Sequence, residues 1–120
     1  MARTGVAAGS TTGSLARMST LDDYSSRVLD AVDAIPPGQV MSYGDIAEYV
    51  GVGGPRQVGR VLALHGGGAA WWRVIRADGT PPPGHQALAL THYLAEGTPL
   101  RSVGLPVKVD MRRARWAGNR

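Results

Sequence analysis

The stretch SYGDIAEYVGVGGPRQVGRVLA, residues 42–63, predicts two short helices joined by a glycine-containing turn. Ser42 can cap the first helix, and Gly51 suits its C-terminal end. Pro55 suits the first position of the second helix, where the missing amide would have no partner. Both helices have one apolar face. The apolar positions are Tyr43, Ile46, Ala47 and Val50 in the first helix, and Val58, Val61 and Leu62 in the second.

Three polar residues of the second helix, Arg56, Gln57 and Arg60, share its opposite face. A helix, a tight turn and a second helix with a polar outer face are typical of a helix-turn-helix DNA reader. Helix pairs with short turns are also common in proteins that bind no DNA. On these residues alone, a plain packed helix pair therefore remains the alternative.

The flanking segments predict further helices and short strands. Apolar residues at three- and four-residue steps predict a helix over 21–34, with the stripe Leu21, Tyr24, Val28, Val32 and Ile35. RVIR, residues 73–76, predicts a short strand, and a last helix over 86–96 has on one side Ala87, Leu90, Thr91 and Leu94. Alternation predicts a strand near the end, with Val107, Val109 and Met111 on one face. The expected fold is mainly α: a helix-turn-helix, winged-helix-like DNA-binding domain with short strands.

The length of 120 residues suits one domain. Residues 1–19 are small, polar and rich in Gly, Ser and Thr, and we interpret them as a disordered leader. The DNA-binding domain is expected over residues 20–106, followed by a basic C-terminal segment over 107–120. No apolar run approaches the ~20 residues that span a bilayer, and the leader lacks a secretory apolar region. We expect a monomer that avoids membranes and is cytoplasmic, or nucleoid-associated if the source is bacterial.

The net charge of +4 is unevenly distributed. Residues 22–48 contain six carboxylates and one arginine, whereas residues 55–76 contain four arginines and no carboxylate. The C-terminal segment adds more basic residues, namely Lys108, Arg112, Arg113, Arg115 and Arg120. Two basic segments indicate a polyanionic partner such as DNA, because neutralising phosphates releases counterions. A solvated basic face is an equal alternative on charge alone.

The residues offer little from which to build an enzyme. The chain has no cysteine, which excludes a thiolate nucleophile and a thiolate metal site. His65, His85 and His92 lack metal-ligand spacing, and phosphate-loop and nucleophile-elbow patterns are missing. We therefore expect no metal, no cofactor and no catalytic residue; a cryptic site of His85, His92 and Glu96 is the remote alternative.

Aromatic and arginine side chains gather around the second helix. Tyr43 opens the first helix, Arg56 opens the second, and Trp71-Trp72-Arg73 follows it. Aromatic faces and guanidinium planes can stack on an unpaired base or replace one in the duplex. Each aromatic residue can equally belong to the core, since the chain has no phenylalanine.

IPPGQVMSYGDIAEYVGVGGPRQVGRVLA, residues 35–63, followed by AAWWRVIRADGT, residues 69–80, resembles the DNA-binding domain of the O6-alkylguanine-DNA alkyltransferases. That family has a V-x-S/T-Y-x-x-I/L-A segment, an A-R-x-V-G helix and a P-C-H-R-V active-site turn. Aligned on Arg73 and Val74, Trp71 stands at the cysteine position and Trp72 at the histidine position. This pattern is similar to that of alkyltransferase-like proteins, which bind alkylated DNA without repairing it.

The resemblance implies roles for individual residues. Tyr43 would rotate the damaged nucleotide out of the duplex, and Arg56 would fill the vacated place. The implied DNA-binding residues are Tyr43, Arg56, Gln57, Gly59 and Arg60. The implied lesion pocket comprises Tyr43, Trp71, Trp72, Arg73 and Val74. Glu96 matches the carboxylate that ends the alkyltransferase hydrogen-bond relay, and here it is expected to hold structure.

We therefore predict a non-enzymatic protein that binds O6-alkylguanine in double-stranded DNA, flips the damaged nucleotide into an aromatic pocket and flags it for nucleotide-excision repair proteins. A winged-helix-like transcriptional regulator that reads intact duplex is the alternative. Two features depart from the family: the loose loop Gly66–Ala70, and PPPGH at 81–85 where relatives often place a basic residue. His85 is the candidate substitute for that basic contact.

Overall fold

The computed structural model describes residues 22–104 and 106–119. The predicted leader therefore lies outside the described residues, as do Leu21 and Arg120. The helices are α1 (Asp23–Ala34), α2 (Tyr43–Val50), α3 (Pro55–His65), α4 (Gln86–Glu96) and α5 (Met111–Ala114). The strands are β1 (Met41–Ser42), β2 (Val74–Ile75), β3 (Leu100–Ser102) and β4 (Lys108–Val109). The mainly helical fold class with short strands is confirmed.

Local signals define the helix-turn-helix formed by α2 and α3. The Ser42 side chain accepts a hydrogen bond from the Asp45 amide at 3.0 Å, and the Asp45 carboxylate accepts one from the Ser42 amide at 3.0 Å. This reciprocal cap satisfies two amides that a helix start leaves unpaired. Gly51 ends α2 with a φ of 91°, which glycine adopts without strain, and Pro55 occupies the first turn of α3. The predicted order of helix, turn and helix is confirmed.

The first hydrophobic core lies among α1, α2 and α3. Its wholly buried side chains include Val28, Val32, Ile46 and Val58. The three helices cover it because each has apolar residues at three- and four-residue spacing. Trp116, from beyond α5, completes this core and packs against Tyr49, with 5.7 Å between the ring centroids.

A second core lies under α4 and the strands. β1 pairs in parallel with β2, and β3 pairs antiparallel with β4. The bounds predicted for α4 match, but the side that the sequence grouped together is not the buried face. Ala89 and Tyr93 are wholly buried, whereas Leu94 is 62% exposed. Apolar residues occur all around α4, so periodicity did not select a face, and packing of Tyr93 against the Trp71–Arg73 turn decides it.

The basic C-terminal segment packs onto the rest of the fold. The strand predicted over residues 107–112 is shorter than expected, because β4 covers two residues and α5 follows it. The Val40 amide donates to the Ala114 carbonyl at 2.9 Å, and the Trp116 amide donates to the Val40 carbonyl at 2.8 Å. These backbone bonds satisfy the amide and carbonyl groups of Val40, which is wholly buried.

The division of the chain at residue 106 stays a prediction. Among the described helices, none has both the length and the apolarity needed to cross a bilayer.

Candidate nucleic-acid interface

A cavity of about 430 Å³ lies beside the second helix of the helix-turn-helix. Tyr43 of α2, Gly59 of α3 and Trp71 of the 3-10 turn Trp71–Arg73 all border it. The fold thus brings together three predicted site residues that are 12 or more positions apart in the chain. A cavity of this size lies within the about 300–1,000 Å³ range typical of small-molecule sites.

Tyr43 occupies the first position of α2, immediately after the Ser42 cap. The side chain is half-buried, packs partly against the first core and borders the cavity. Burial raises the pKa of its hydroxyl, and the nearby charge of Arg76 acts in the opposite direction. The hydroxyl is therefore a neutral hydrogen-bond donor at physiological pH, available at the cavity wall.

The outer face of α3 presents Arg56 and Arg60 to solvent. Gly59 and Arg60 follow Arg56 by three and four positions, so each is a neighbour of Arg56 on the helix surface. A Cβ added at Gly59 would meet no atom within 4 Å, which leaves an open place between the two arginines. Gln57 is also exposed, but its side-chain oxygen accepts a hydrogen bond from the Gly54 amide at 2.8 Å. Gln57 thus caps α3.

The adjacent Trp71 and Trp72 rings contact each other edge to face, with 5.8 Å between their centroids, but they have different further partners. The Trp71 ring borders the cavity and contacts His85, with 5.4 Å between centroids. The Trp72 ring stacks on His92 at 3.5 Å with an interplanar angle of 5°. Its indole nitrogen donates to Glu96 at 2.9 Å. Trp72 is therefore held behind the cavity, in contact with α4.

Arg73 and Val74 also lie away from the cavity. Arg73 forms two hydrogen bonds to Glu96, at 2.6 and 3.1 Å, and one to the Ile35 carbonyl at 3.1 Å. Val74 is wholly buried in β2 and packs in the first core. Of the five residues predicted for the lesion pocket, the structure brings Tyr43 and Trp71 to the cavity and places Trp72, Arg73 and Val74 behind it.

Glu96 is the centre of a polar cluster that holds this turn in place. It accepts hydrogen bonds from Trp72, Arg73 and the Gly38 amide, the last at 3.0 Å. Burial acts to raise the pKa of Glu96, but the bonds from Arg73, Gly38 and Trp72 outweigh it and hold the pKa below the usual value. Glu96 thus remains ionised and joins α4 to the connector that follows α1 and to the tryptophan turn.

The sequence reasoning missed several residues that border the cavity. On α3, Leu62 and Ala63 follow Gly59 at the spacing that places residues on one helix face, and Gly66 and Gly67 continue it. This spacing is the feature of the sequence from which these four residues could have been predicted. The other side is formed by His85, which the sequence analysis named as a candidate contact, and by Pro82, Pro83 and Leu88. These depend on how α4 packs, which its sequence did not predict. No three described His, Asp or Glu side chains come close enough to hold a metal ion.

Comparisons with known proteins identify a family model and relatives that this chain resembles. Residues 23–97 match the family model of the 6-O-methylguanine DNA methyltransferase DNA-binding domain. The DNA base-flipping protein of Escherichia coli (strain K12) is 37% identical over 108 residues, covering 83% of this chain and 79% of that protein. Alkyltransferase-like protein 1 of Schizosaccharomyces pombe is 44% identical over 63 residues, covering 50% of this chain and 58% of that protein.

A solved structure shows the same fold bound to DNA. The crystal structure of S. pombe Atl1 in complex with damaged DNA containing O6-carboxymethylguanine matches with a TM-score of 0.68 and 32% sequence identity. The match covers 80% of this chain and 96% of Atl1.

Proposed function

The chain belongs to the family of the 6-O-methylguanine DNA methyltransferase DNA-binding domain, and we propose that it binds O6-alkylguanine in duplex DNA without removing the alkyl group. The resemblance inferred from three short motifs is confirmed by this membership. The observation that carries the proposal is the cavity bordered by Tyr43 and Trp71 beside the arginine-bearing face of α3.

Binding to the duplex begins with charge. Arg56 and Arg60 are exposed on α3 and offer cations to the phosphates. Gly59, between them, lacks a side chain, so the helix can approach a groove closely. Minor-groove edges carry a degenerate code, which suits a protein that must bind a lesion in every sequence context. Contacts along α3 therefore supply affinity for duplex DNA of any sequence, and the cavity distinguishes the damaged base from guanine.

Discrimination requires the damaged base to leave the stack. Tyr43 lies at the cavity wall, where it can turn the nucleotide, and Arg56 fills the space left in the duplex. The flipped base then rests against Trp71. Flipping costs a few kcal/mol and less for a weakly paired base, which favours O6-alkylguanine over guanine. Trp72, Arg73 and Val74 act indirectly, by fixing the turn that presents Trp71.

Alkyl transfer would need a nucleophile beside the flipped base, and the 120 residues contain no cysteine. Glu96 is fully engaged by Arg73, Trp72 and the Gly38 amide, so it is not free to act as a base. Burial keeps Tyr43 protonated and thus a poor nucleophile. A protein with these residues binds the lesion and leaves it intact. After binding the lesion, such a protein recruits other repair proteins, and we propose that these belong to nucleotide-excision repair.

The test is fluorescence anisotropy with matched duplexes that differ by a single O6-methylguanine, across a salt titration. We expect tighter binding to the modified duplex, and mass spectrometry should find the methyl group still on the DNA. Equal affinity for both duplexes would favour a sequence-reading regulator, and methyl loss would overturn the non-enzymatic claim.

Two pairs of variants separate flipping from general DNA affinity. Tyr43→Ala and Arg56→Ala should lose discrimination, and a fluorescent base analogue should report flipping by the wild type but not by Tyr43→Ala. Neutralising the exposed Arg112 and Arg113 should weaken binding to both duplexes alike and flatten the salt slope. Full discrimination by the Tyr43 and Arg56 variants would refute the roles assigned to them.

A further inference from the structure

The basic C-terminal segment packs on α2, the helix that begins with Tyr43. Arg115 forms a parallel bridge with Val40, which lies in the connector before β1. The next residue, Trp116, is only 8% exposed and packs against Tyr49 of α2. The backbone on both sides of Arg115 is hydrogen-bonded to Val40. Replacing the Arg115 side chain therefore leaves the segment itself in place.

The Arg115 side chain binds the carboxylate that caps α2. Its guanidinium donates to both oxygens of Asp45, at 2.6 and 2.9 Å. The oxygen at 2.9 Å also accepts a hydrogen bond from the Ser42 amide, at 3.0 Å. Because a two-pronged contact fixes the plane of a carboxylate, Arg115 sets the orientation in which Asp45 meets the helix start. Without Arg115, Asp45 can still accept from the Ser42 amide, but its carboxylate is free to rotate.

This cap lies next to the residue to which we assign nucleotide flipping. Tyr43 follows Ser42 directly and borders the cavity. On the other side of β1, Ser42 pairs with Ile75 of β2, the strand that follows the tryptophan turn. β1 thus lies between Arg115 and the strand that holds Trp71. A shift in the first turn of α2 therefore moves Tyr43 relative to Trp71, while β1 and β2 stay paired.

From these contacts we infer that Arg115 is a positioning residue for nucleotide flipping, which holds the first turn of α2 so that Tyr43 faces the cavity. The inference rests on the proposed function, since it concerns the step assigned to Tyr43. It also separates Arg115 from the exposed Arg112 and Arg113 of the same segment. The Asp45 carboxylate offsets the charge of Arg115, so this arginine contributes little general attraction to DNA.

The experiment measures discrimination, defined as the ratio of the dissociation constants for an unmodified duplex and for the same duplex with one O6-methylguanine. Arg115→Gln should reduce this ratio about threefold, within the range that an exposed ion pair can supply, and should change the affinity for the unmodified duplex less than about twofold. A fluorescent base analogue should report less complete flipping. Circular dichroism checks that the variant is folded at the assay temperature.

Arg27→Gln is the matched control, because Arg27 contacts the opposite end of the same helix. Its exposed guanidinium donates to the Val50 carbonyl at 2.7 Å. This variant loses one positive charge and one contact with α2, as Arg115→Gln does, but at the end away from Tyr43. It should leave discrimination unchanged.

Asp45→Asn tests the same contact from its other partner. Asparagine keeps an oxygen for the Ser42 amide but lacks the charge that Arg115 meets. The variant should reduce discrimination as Arg115→Gln does. The double variant should be no worse than either single one, because both substitutions break one interaction.

Several results would overturn the inference. Equal losses of discrimination in Arg115→Gln and Arg27→Gln would show that any weakening of α2 suffices. An unchanged ratio in Arg115→Gln would remove the positioning role, and weaker binding of both duplexes by one factor would make Arg115 a phosphate contact. Effects of Arg115→Gln and Asp45→Asn that multiplied in the double variant would show that they act separately. Equal binding of both duplexes by the wild type would instead overturn the proposed function.

Discussion

Replacing Glu96 with glutamine should destabilise the protein far more than breaking the ion pair between Arg115 and Asp45. Glu96→Gln preserves size but removes the charge that Arg73 meets at 2.6 Å, and it sets an amide NH₂ against groups that are themselves donors. The Glu96 and Arg73 side chains are only 13% and 15% exposed. Breaking a buried pair costs about 3–5 kcal/mol, because the remaining charge stays buried without a partner. Because both side chains remain partly exposed, we expect a loss at the lower end of this range, about 3 kcal/mol.

The chain offers a control with the same geometry and different exposure. Arg115 and Asp45 also approach to 2.6 Å through a two-pronged contact, but the Arg115 side chain is 59% exposed, and Asp45, at 11%, keeps the bond from the Ser42 amide when Arg115 is replaced. Exposed pairs contribute about 0.2–1 kcal/mol, because water screens the charges and can replace the contact. Arg115→Gln should therefore cost less than about 1 kcal/mol, although the distance between the paired atoms is the same.

Urea unfolding followed by circular dichroism measures both free energies, and thermal scans provide a second reading. Glu96→Gln should lower Tm by about 10–15 °C. Adding Arg73→Met to Glu96→Gln should restore part of the loss, since it removes the unpaired guanidinium. The reasoning would be refuted if Glu96→Gln cost no more than Arg115→Gln, or if the double variant were less stable than the single one.

Three further predictions follow from the same contacts. Gly59→Ala should raise the free energy of unfolding by about 0.5–1 kcal/mol, because alanine favours a helix interior and its methyl group meets no atom within 4 Å. The same variant should weaken DNA binding. Unchanged binding would show that DNA does not approach α3 at this point. Trp71→Cys alone should not restore efficient methyl transfer, since a free thiol has a pKa near ~8.5. Adding Trp72→His should speed transfer by placing an imidazole beside Glu96, as labelled methyl groups would report; rapid transfer by the single variant would contradict this account. The folded protein holds the pKa of Glu96 below its ordinary 4.5, so the unfolded chain binds a proton at Glu96 more readily than the folded protein does. The ionised Glu96 therefore contributes its full stabilisation above about pH 4.5. This contribution to the free energy of unfolding is lost as the pH falls through the folded pKa. Urea titrations between pH 6 and 3 should show a smaller loss for Glu96→Gln than for the wild type, and equal slopes would count against the assignment.

The helix-turn-helix was predictable because the signals that define it are local. Ser42 and Asp45 cap α2 within one turn, Gly51 supplies the positive φ that ends it, and Pro55 begins α3. Each of these interactions joins residues at most four positions apart, so the sequence contains both partners side by side. The bounds of α4 were predictable for the same reason, whereas its buried face was not, since apolar residues occur on several of its sides.

The candidate site was predictable only in part. The motifs brought Tyr43 and Trp71 to attention, and both border the cavity. They also assigned Trp72 and Arg73 to the pocket, but both bind Glu96, which lies 24 and 23 residues further along the chain. Leu88 gave no signal in the sequence, because its position at the cavity mouth depends on the packing of α4.

The sequence by itself determined which chemistry is available: a helix-turn-helix with arginines on its second helix, and a turn with two tryptophans at the positions that align with the cysteine and histidine of the alkyltransferase motif. Only the tertiary structure decided which of the two indoles borders the cavity. In a 3-10 turn, successive side chains project about a third of a rotation apart, so adjacent residues cannot face the same way. The direction of each depends on the partner it meets, and Tyr93, His92 and Glu96 reach Trp72 only when α4 packs against this turn. That contact fixes Trp72 behind the cavity and leaves Trp71 at its wall.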